Sequence, residues 1–124
     1  MNRLFATALA CGIALTLAGQ AAAADPAKGK RVFNKCKACH SLKAGKKKIG
    51  PSLNGVFGRT SGTGKGFKYS KAMIKAAIVW DDKTMDAFIT KPRKMIKRTR
   101  MAFPGIKKAS DRANLIAYLK QATK

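Results

Sequence analysis

Glutamate is absent, and the acids amount to five Asp against 27 Lys and Arg, a formal charge of +22 over 124 residues. With 46% hydrophobic residues the chain is not a wholly disordered basic tail, because it has enough apolar surface to bury. Histidine occurs once, at His40, and tryptophan once, at Trp80. A single histidine leaves no second one for a zinc site or for acid–base work opposite the first. No segment alternates apolar and polar residues with period two, so strands are not expected and the chain reads as all-α, without internal repeats.

A long apolar run is also lacking, since Leu4 to Leu17 is short for a bilayer span. With Asn2-Arg3 before it and Ala22-Ala23-Ala24 after it, this stretch reads as a secretory signal covering residues 1–24, cleaved to leave one domain over 25–124. A retained anchor competes less well because the run ends in a cleavage site. Lipidation at Cys11 competes less well because the run continues past that residue. Cleavage removes Arg3 and Cys11, leaving 26 cations against five acids, a charge of +21, and two cysteines, Cys36 and Cys39.

Asp25-Pro26 predicts a helix start, with Asp as N-cap and Pro at the first helical position, and Gly29, Val32, Phe33 and Cys36 carry the spacing on to about Cys39. Ser41 to Lys68 is a loop holding seven of the chain's eleven glycines, between Gly45 and Gly66. Loops longer than about 12–15 residues without structure of their own are uncommon and usually functional, so something bound is expected to organise this one. Ser70 caps a helix through about Ile78; Asp81-Asp82 caps another, with Met85, Phe88 and Ile89 on one face, ending at Pro92. Lys91 to Arg100 holds six basic residues in ten, and Ser110-Asp111 opens a last helix striped by Leu115, Tyr118 and Leu119.

Cys36-Lys37-Ala38-Cys39-His40 has the spacing of c-type haem attachment. Two thiols one helical turn apart can add across the two vinyl groups of one haem, with the next residue, His40, placed to ligate iron. Zinc would need ligands beyond these three. A thioredoxin-like dithiol would need a strand and a βαβ context. A plain disulfide remains open to an exported chain.

Residues in order along 25–124 extend the pattern: G-K-R-V-F, C-K-A-C-H, G-P-S-L-N-G-V-F-G-R, G-F-K-Y-S-K-A-M, Trp80, Met101-Ala102-Phe103 and L-I-A-Y-L-K. The chain resembles small class I c-type cytochromes, the soluble bacterial proteins similar to mitochondrial cytochrome c. The resemblance implies the cytochrome c fold, about five short helices and a glycine-rich loop around one covalent haem c, with first and last helices crossing at Gly29, Phe33, Leu115 and Tyr118. It implies a one-electron carrier cycling between Fe(II) and Fe(III), monomeric and, with the signal, periplasmic. Of the methionines, Met73, Met85 and Met95 suit packing, whereas Met101 in T-R-M-A-F occupies the family's sixth-ligand position beside His40. The resemblance further implies that the Pro51 carbonyl accepts the His40 hydrogen bond, and that Arg59, Tyr69, Trp80 and Thr99 surround the haem. Two departures stand out. Lys97-Arg98 replaces the usual Pro-Gly, removing two backbone constraints before Met101, and Phe88 replaces a tyrosine.

Such charge attracts any anionic surface. No nucleic-acid motif is present, so nucleic acid is not expected, while peripheral attraction to anionic membrane is. The resemblance places Lys37, Lys65, Lys91, Arg93, Lys94, Lys97, Arg98 and Arg100 around the haem edge, where they would dock acidic surfaces of membrane redox complexes such as a quinol–cytochrome c oxidoreductase and a terminal oxidase or photosynthetic reaction centre. The competing function is a haem enzyme with an open sixth position, peroxidase-like or ligand-binding. Met101 counts against it, and the carrier is the expected, non-enzymatic reading.

Overall fold

The computed structural model describes residues 23–124. Most of the proposed signal segment, Met1–Ala24, lies outside the described residues. Among the described residues five α-helices form: α1 (Pro26–Val32), α2 (Lys71–Ala76), α3 (Asp82–Thr90), α4 (Pro92–Met95) and α5 (Ala109–Ala122). None of them is long and apolar enough to cross a membrane. Among the described residues the only β pairing is an isolated bridge, Thr60 to Val79.

Each helix start has a local cause. Asp25 caps α1 by accepting from Ala27 N at 2.8 Å, with Pro26 at the first helical position. Asp81 and Thr84 form a reciprocal capping box on α3, and the bond from the Thr84 amide is the main cause holding the Asp81 carboxyl below its ordinary pKa. The helix expected to reach Cys39 is α-helical only to Val32. A 3-10 turn over Phe33–Lys35 and further turn bonds, including His40 N to Cys36 O at 2.9 Å, carry the coil to the histidine. The helix capped by Ser70 stops at Ala76, short of Ile78, because Ala77 turns left-handed at φ 48°. The last helix begins at Ala109, just before the expected Ser110, with Lys108 as a cap that offers no side-chain bond.

α1 crosses α5 at Gly29. A Cβ there would overlap the Asn114 carbonyl and approach Tyr118 Cβ to 2.8 Å, so only glycine permits this approach. Phe33 then stacks on Tyr118 at 5.7 Å, and Asp25 N donates to Asn114 Oδ1 at 2.7 Å. α3 packs on α5 and is tied to it by Asp86–Arg112 and Asp82–Lys120. The core between them contains Phe33, Trp80, Met85, Phe88, Ile89, Ile96, Ile106, Leu115, Ile116 and Leu119.

From Cys36 to Ser70 the chain forms no helix, and only Val56 and Ser61 are buried. Backbone bonds hold this loop in place: Gly55 N to Thr123 O at 2.6 Å, Gly58 N to Trp80 O at 2.7 Å and Ser61 N to Ile78 O at 2.7 Å.

Arg98, where a glycine was noted as missing, adopts φ 65°. A side chain in the left-handed region costs roughly 1–2 kcal/mol, part of which glycine returns through the entropy of the unfolded chain. Arg98→Gly should therefore stabilise the holoprotein by about 0.5–1 kcal/mol, seen as a higher urea midpoint at unchanged slope. A lower midpoint would show that the guanidinium outweighs the backbone strain.

Candidate functional site

The end of the first helical segment sets out three chemical groups. Cys36 and Cys39 are free, half-buried thiols joined by a turn bond, Cys39 N to Cys36 O at 3.0 Å. Burial pushes the Cys36 thiol up to about 11, the neighbouring Cys39 adds to the rise, and Lys35 opposes it. Reactive redox cysteines show the opposite shift, so Cys36 is not activated for dithiol exchange. Among the described residues no three His, Cys or Asp side chains are grouped so as to hold a metal ion by themselves.

His40 is half-buried, and its Nδ1 lies 2.8 Å from Pro51 O. A carbonyl only accepts, so Nδ1 carries the proton. Burial lowers the imidazole pKa, and although the Pro51 bond opposes this, the net shift is downward, with Lys48 helping. The ring is then neutral near pH 7, and its Nε2 lone pair is free to bind a metal. Gly50 explains how the loop comes so close. Its N donates to Cys39 O at 2.7 Å, and a Cβ there would lie 2.5 Å from His40 Cε1 and 2.8 Å from Nδ1. In the sequence Gly50 is one of seven glycines in the loop, and its place against the histidine carries no local signal.

Met101 is half-buried and packs against the core, as do Met73 and Met95, while Met85 is buried in it, as is Phe88. Thr99 is buried, and its Oγ1 accepts from Met101 N at 3.3 Å. Arg59 donates to Asn54 O at 3.0 Å and to Ser52 O at 3.5 Å. Gly64 leaves room for this corner, since a Cβ on it would meet both the Tyr69 hydroxyl and the Arg59 guanidinium. Trp80 is buried, stacks on Phe88 at 5.0 Å and 52°, and its N donates to Arg59 O at 3.0 Å. The structure thus brings Arg59, Tyr69 and Trp80 to one region, Pro51 to His40, and Thr99 to Met101.

Lys37, Lys65, Lys91, Arg93, Lys94, Lys97, Arg98 and Arg100 are all exposed. Arg100 is the exception to a purely solvated set, because its Nη2 donates to Lys68 O at 3.2 Å and ties the Met101 segment to the loop before Tyr69. Two residues went unnoticed in the sequence. Ser61, 1% exposed, donates from Oγ to Met73 O and accepts from Ile78 N, each at 2.9 Å, which pins the glycine loop to α2. Arg112 reaches from α5 to three acceptors on other segments. Neither carries a local sequence signal.

The donor set fits an iron porphyrin: two thiols a turn apart, a neutral imidazole with a free nitrogen next to them, and a half-buried thioether on a separate segment. Comparison with known proteins points the same way. The family model described as Cytochrome c matches residues 26–123. A cytochrome c of Chlamydomonas reinhardtii is 48% identical over 106 residues, covering 84% of this chain and 95% of that protein. Cytochrome c-554 of Methylosinus trichosporium is 42% identical over 124 residues, covering 98% and 94%. Among solved structures, cytochrome cH from Methylobacterium extorquens superposes with a TM-score of 0.75 at 38% identity, covering 78% of this chain and 98% of that one.

Proposed function

Since this chain belongs to the cytochrome c family, haem-based electron carriers with one covalently attached haem c, we propose that Cys36 and Cys39 hold the haem as thioethers and that His40 and Met101 ligate its iron. The observation that carries this reading is the 2.8 Å bond from His40 Nδ1 to Pro51 O, which leaves Nε2 unprotonated one residue after Cys39. Bound there, the haem supplies a one-electron couple between Fe(II) and Fe(III).

The chain's own residues supply everything else. The Pro51 carbonyl fixes the imidazole ring and raises its basicity. Gly50, lying on that ring, shields one edge of it from water. The Met101 thioether would fill the remaining iron position and favour the reduced state, which suits a carrier. Arg59, Tyr69 and Trp80, with Thr99, would hold the propionate side of the bound haem. An enzyme would need an open site and a second acid–base group; His40 is the only histidine and its Nδ1 is committed to Pro51.

The same reading extends to location and partners. The protein is exported to the periplasm after cleavage behind Ala24 and works as a monomer. Its docking face is the cationic set around Lys91–Arg100 with Lys37 and Lys65, offered to acidic surfaces of membrane redox complexes.

One preparation tests these points together. Protein from a host able to mature c-type cytochromes should retain haem through denaturing electrophoresis, with an intact mass equal to the chain from Asp25 plus one haem. The ferric form should show the weak near-infrared sulfur-to-iron band, and Met101→Ala should abolish the band with haem still attached. Loss of the band in Met85→Leu or Met95→Leu, and its survival in Met101→Ala, would reassign the ligand.

A further inference from the structure

Resting on the reading of Met101 as iron ligand, we infer that Arg112 is the positioning residue that keeps that ligand in place from the far side of its loop. Met101 sits in a segment with no helix between Met95 and Ala109. On the side before Met101 the ties are long or solvent-exposed: Arg98 is left-handed at φ 65°, Lys97 and Arg98 are exposed, Thr99 Oγ1 reaches Met101 N only at 3.3 Å, and the exposed Arg100 reaches Lys68 O at 3.2 Å. On the side after Met101 the chain is bound closely. Gly105, at φ 106°, lies against the Thr90 carbonyl where no Cβ could fit, and Ile106 N donates to Ile89 O at 2.8 Å.

Arg112 completes that anchor from α5. Its Nη1 donates to Ile106 O at 2.9 Å and to Lys107 O at 2.8 Å, while its Nε donates to Asp86 Oδ1 at 2.7 Å on α3. One planar fork therefore joins the ligand segment, α3 and α5. The Arg112 side chain is 13% exposed, and such a cation is kept only where its donors are met. With 27 cations and five acids in the chain, the pairing of a carboxylate with this one is selective. The other ion pair joining the same two helices, Lys120 with Asp82 at 3.0 Å, is exposed on both sides and touches no part of the ligand segment. It is the natural control, because a general helix staple would be equally well lost at either pair.

Imidazole added to the ferric holoprotein reads the position of Met101, since it binds iron only where the thioether has left. At pH 7 and matched salt, Arg112→Lys keeps the charge but loses the fork, and should raise the apparent imidazole affinity about five- to tenfold, the net worth of about one hydrogen bond. Asp86→Asn should raise it less but measurably, and Asp82→Asn should leave it at the parent value. The inference is overturned if Arg112→Lys binds imidazole no better than the parent, or if Asp82→Asn matches it. Should Arg112→Lys fail to accumulate, Asp86→Asn decides alone, and parental affinity in that variant overturns the inference. Met101→Ala separates the two claims. If it does not tighten imidazole binding, the ligand assignment fails; if it does and the Arg112 and Asp86 variants do not, only the positioning role fails.

Discussion

A Cys36→Ala, Cys39→Ala chain made without haem should lose most of its helical signal and show no cooperative melt. The reason lies in where burial is and is not supplied. The 35 residues from Cys36 to Ser70 include only two buried side chains, Val56 and Ser61. Ordering a residue costs roughly 1–2 kcal/mol in backbone entropy alone, and this stretch has little apolar burial of its own to offset that. Its backbone bonds to Thr123, Trp80 and Ile78 depend on the helices already standing. The helices cannot stand for it: α1 has seven residues and α5 fourteen, and isolated helices below about 12–15 residues are marginal in water. A group that binds only the folded chain contributes its binding energy to folding. Circular dichroism at 222 nm against temperature is the measurement. Native-like ellipticity with a sharp transition in the double variant would show that α1, α3 and α5 form a core independent of haem.

What could be read in the sequence was what is local. The C-K-A-C-H spacing, the Asp25 and Asp81 caps, and the stripe of Met85, Phe88 and Ile89 each declare themselves within a few residues, and each stands where the pattern put it. Element ends were less legible, because their causes are weak or unusual. α2 ends on an alanine turned left-handed where no glycine marks the stop, and α5 begins without a capping side chain. The nearness of Pro51 to His40 came from resemblance, and the physical cause, a glycine with no Cβ to strike the ring, became visible only with the loop folded. Ser61 and Arg112 were out of reach for a different reason. Their partners lie on segments that sequence order does not bring together, so nothing in the flanking residues distinguishes a buried serine in a glycine loop, or one more arginine among 27 cations.

Electron transfer with an acidic partner such as a terminal oxidase should slow by about tenfold or more as salt rises from low to physiological strength, since steering by a focused charge accelerates encounter by 10–10³. The acids fall outside the Lys91–Arg100 run. All five carboxylates sit on the N-cap of α1, at α3 or in the first turn of α5, and two of them, Asp86 and Asp82, are spent on Arg112 and Lys120. Between Lys91 and Lys108 no acid occurs, so the six exposed cations of residues 91–100 have no counter-charge in their own segment. Exposed charges are screened beyond a Debye length of about 8 Å at physiological ionic strength, so a cation steers a partner only if it stands near the docking edge. Lys94 is the cleanest probe, being exposed on α4 with no side-chain bond to lose, whereas Arg100 also gives up its bond to Lys68 O. Lys124, exposed at the C-terminus, is the matched control. Lys94→Glu and Arg100→Glu should each cost several-fold in the second-order rate at low salt, the Arg100 variant being checked for an unchanged near-infrared band, and Lys124→Glu should cost far less. Net charge changes equally in all three, so equal slowing would mean that the protein's total charge governs encounter and that the Lys91–Arg100 segment has no special place in docking.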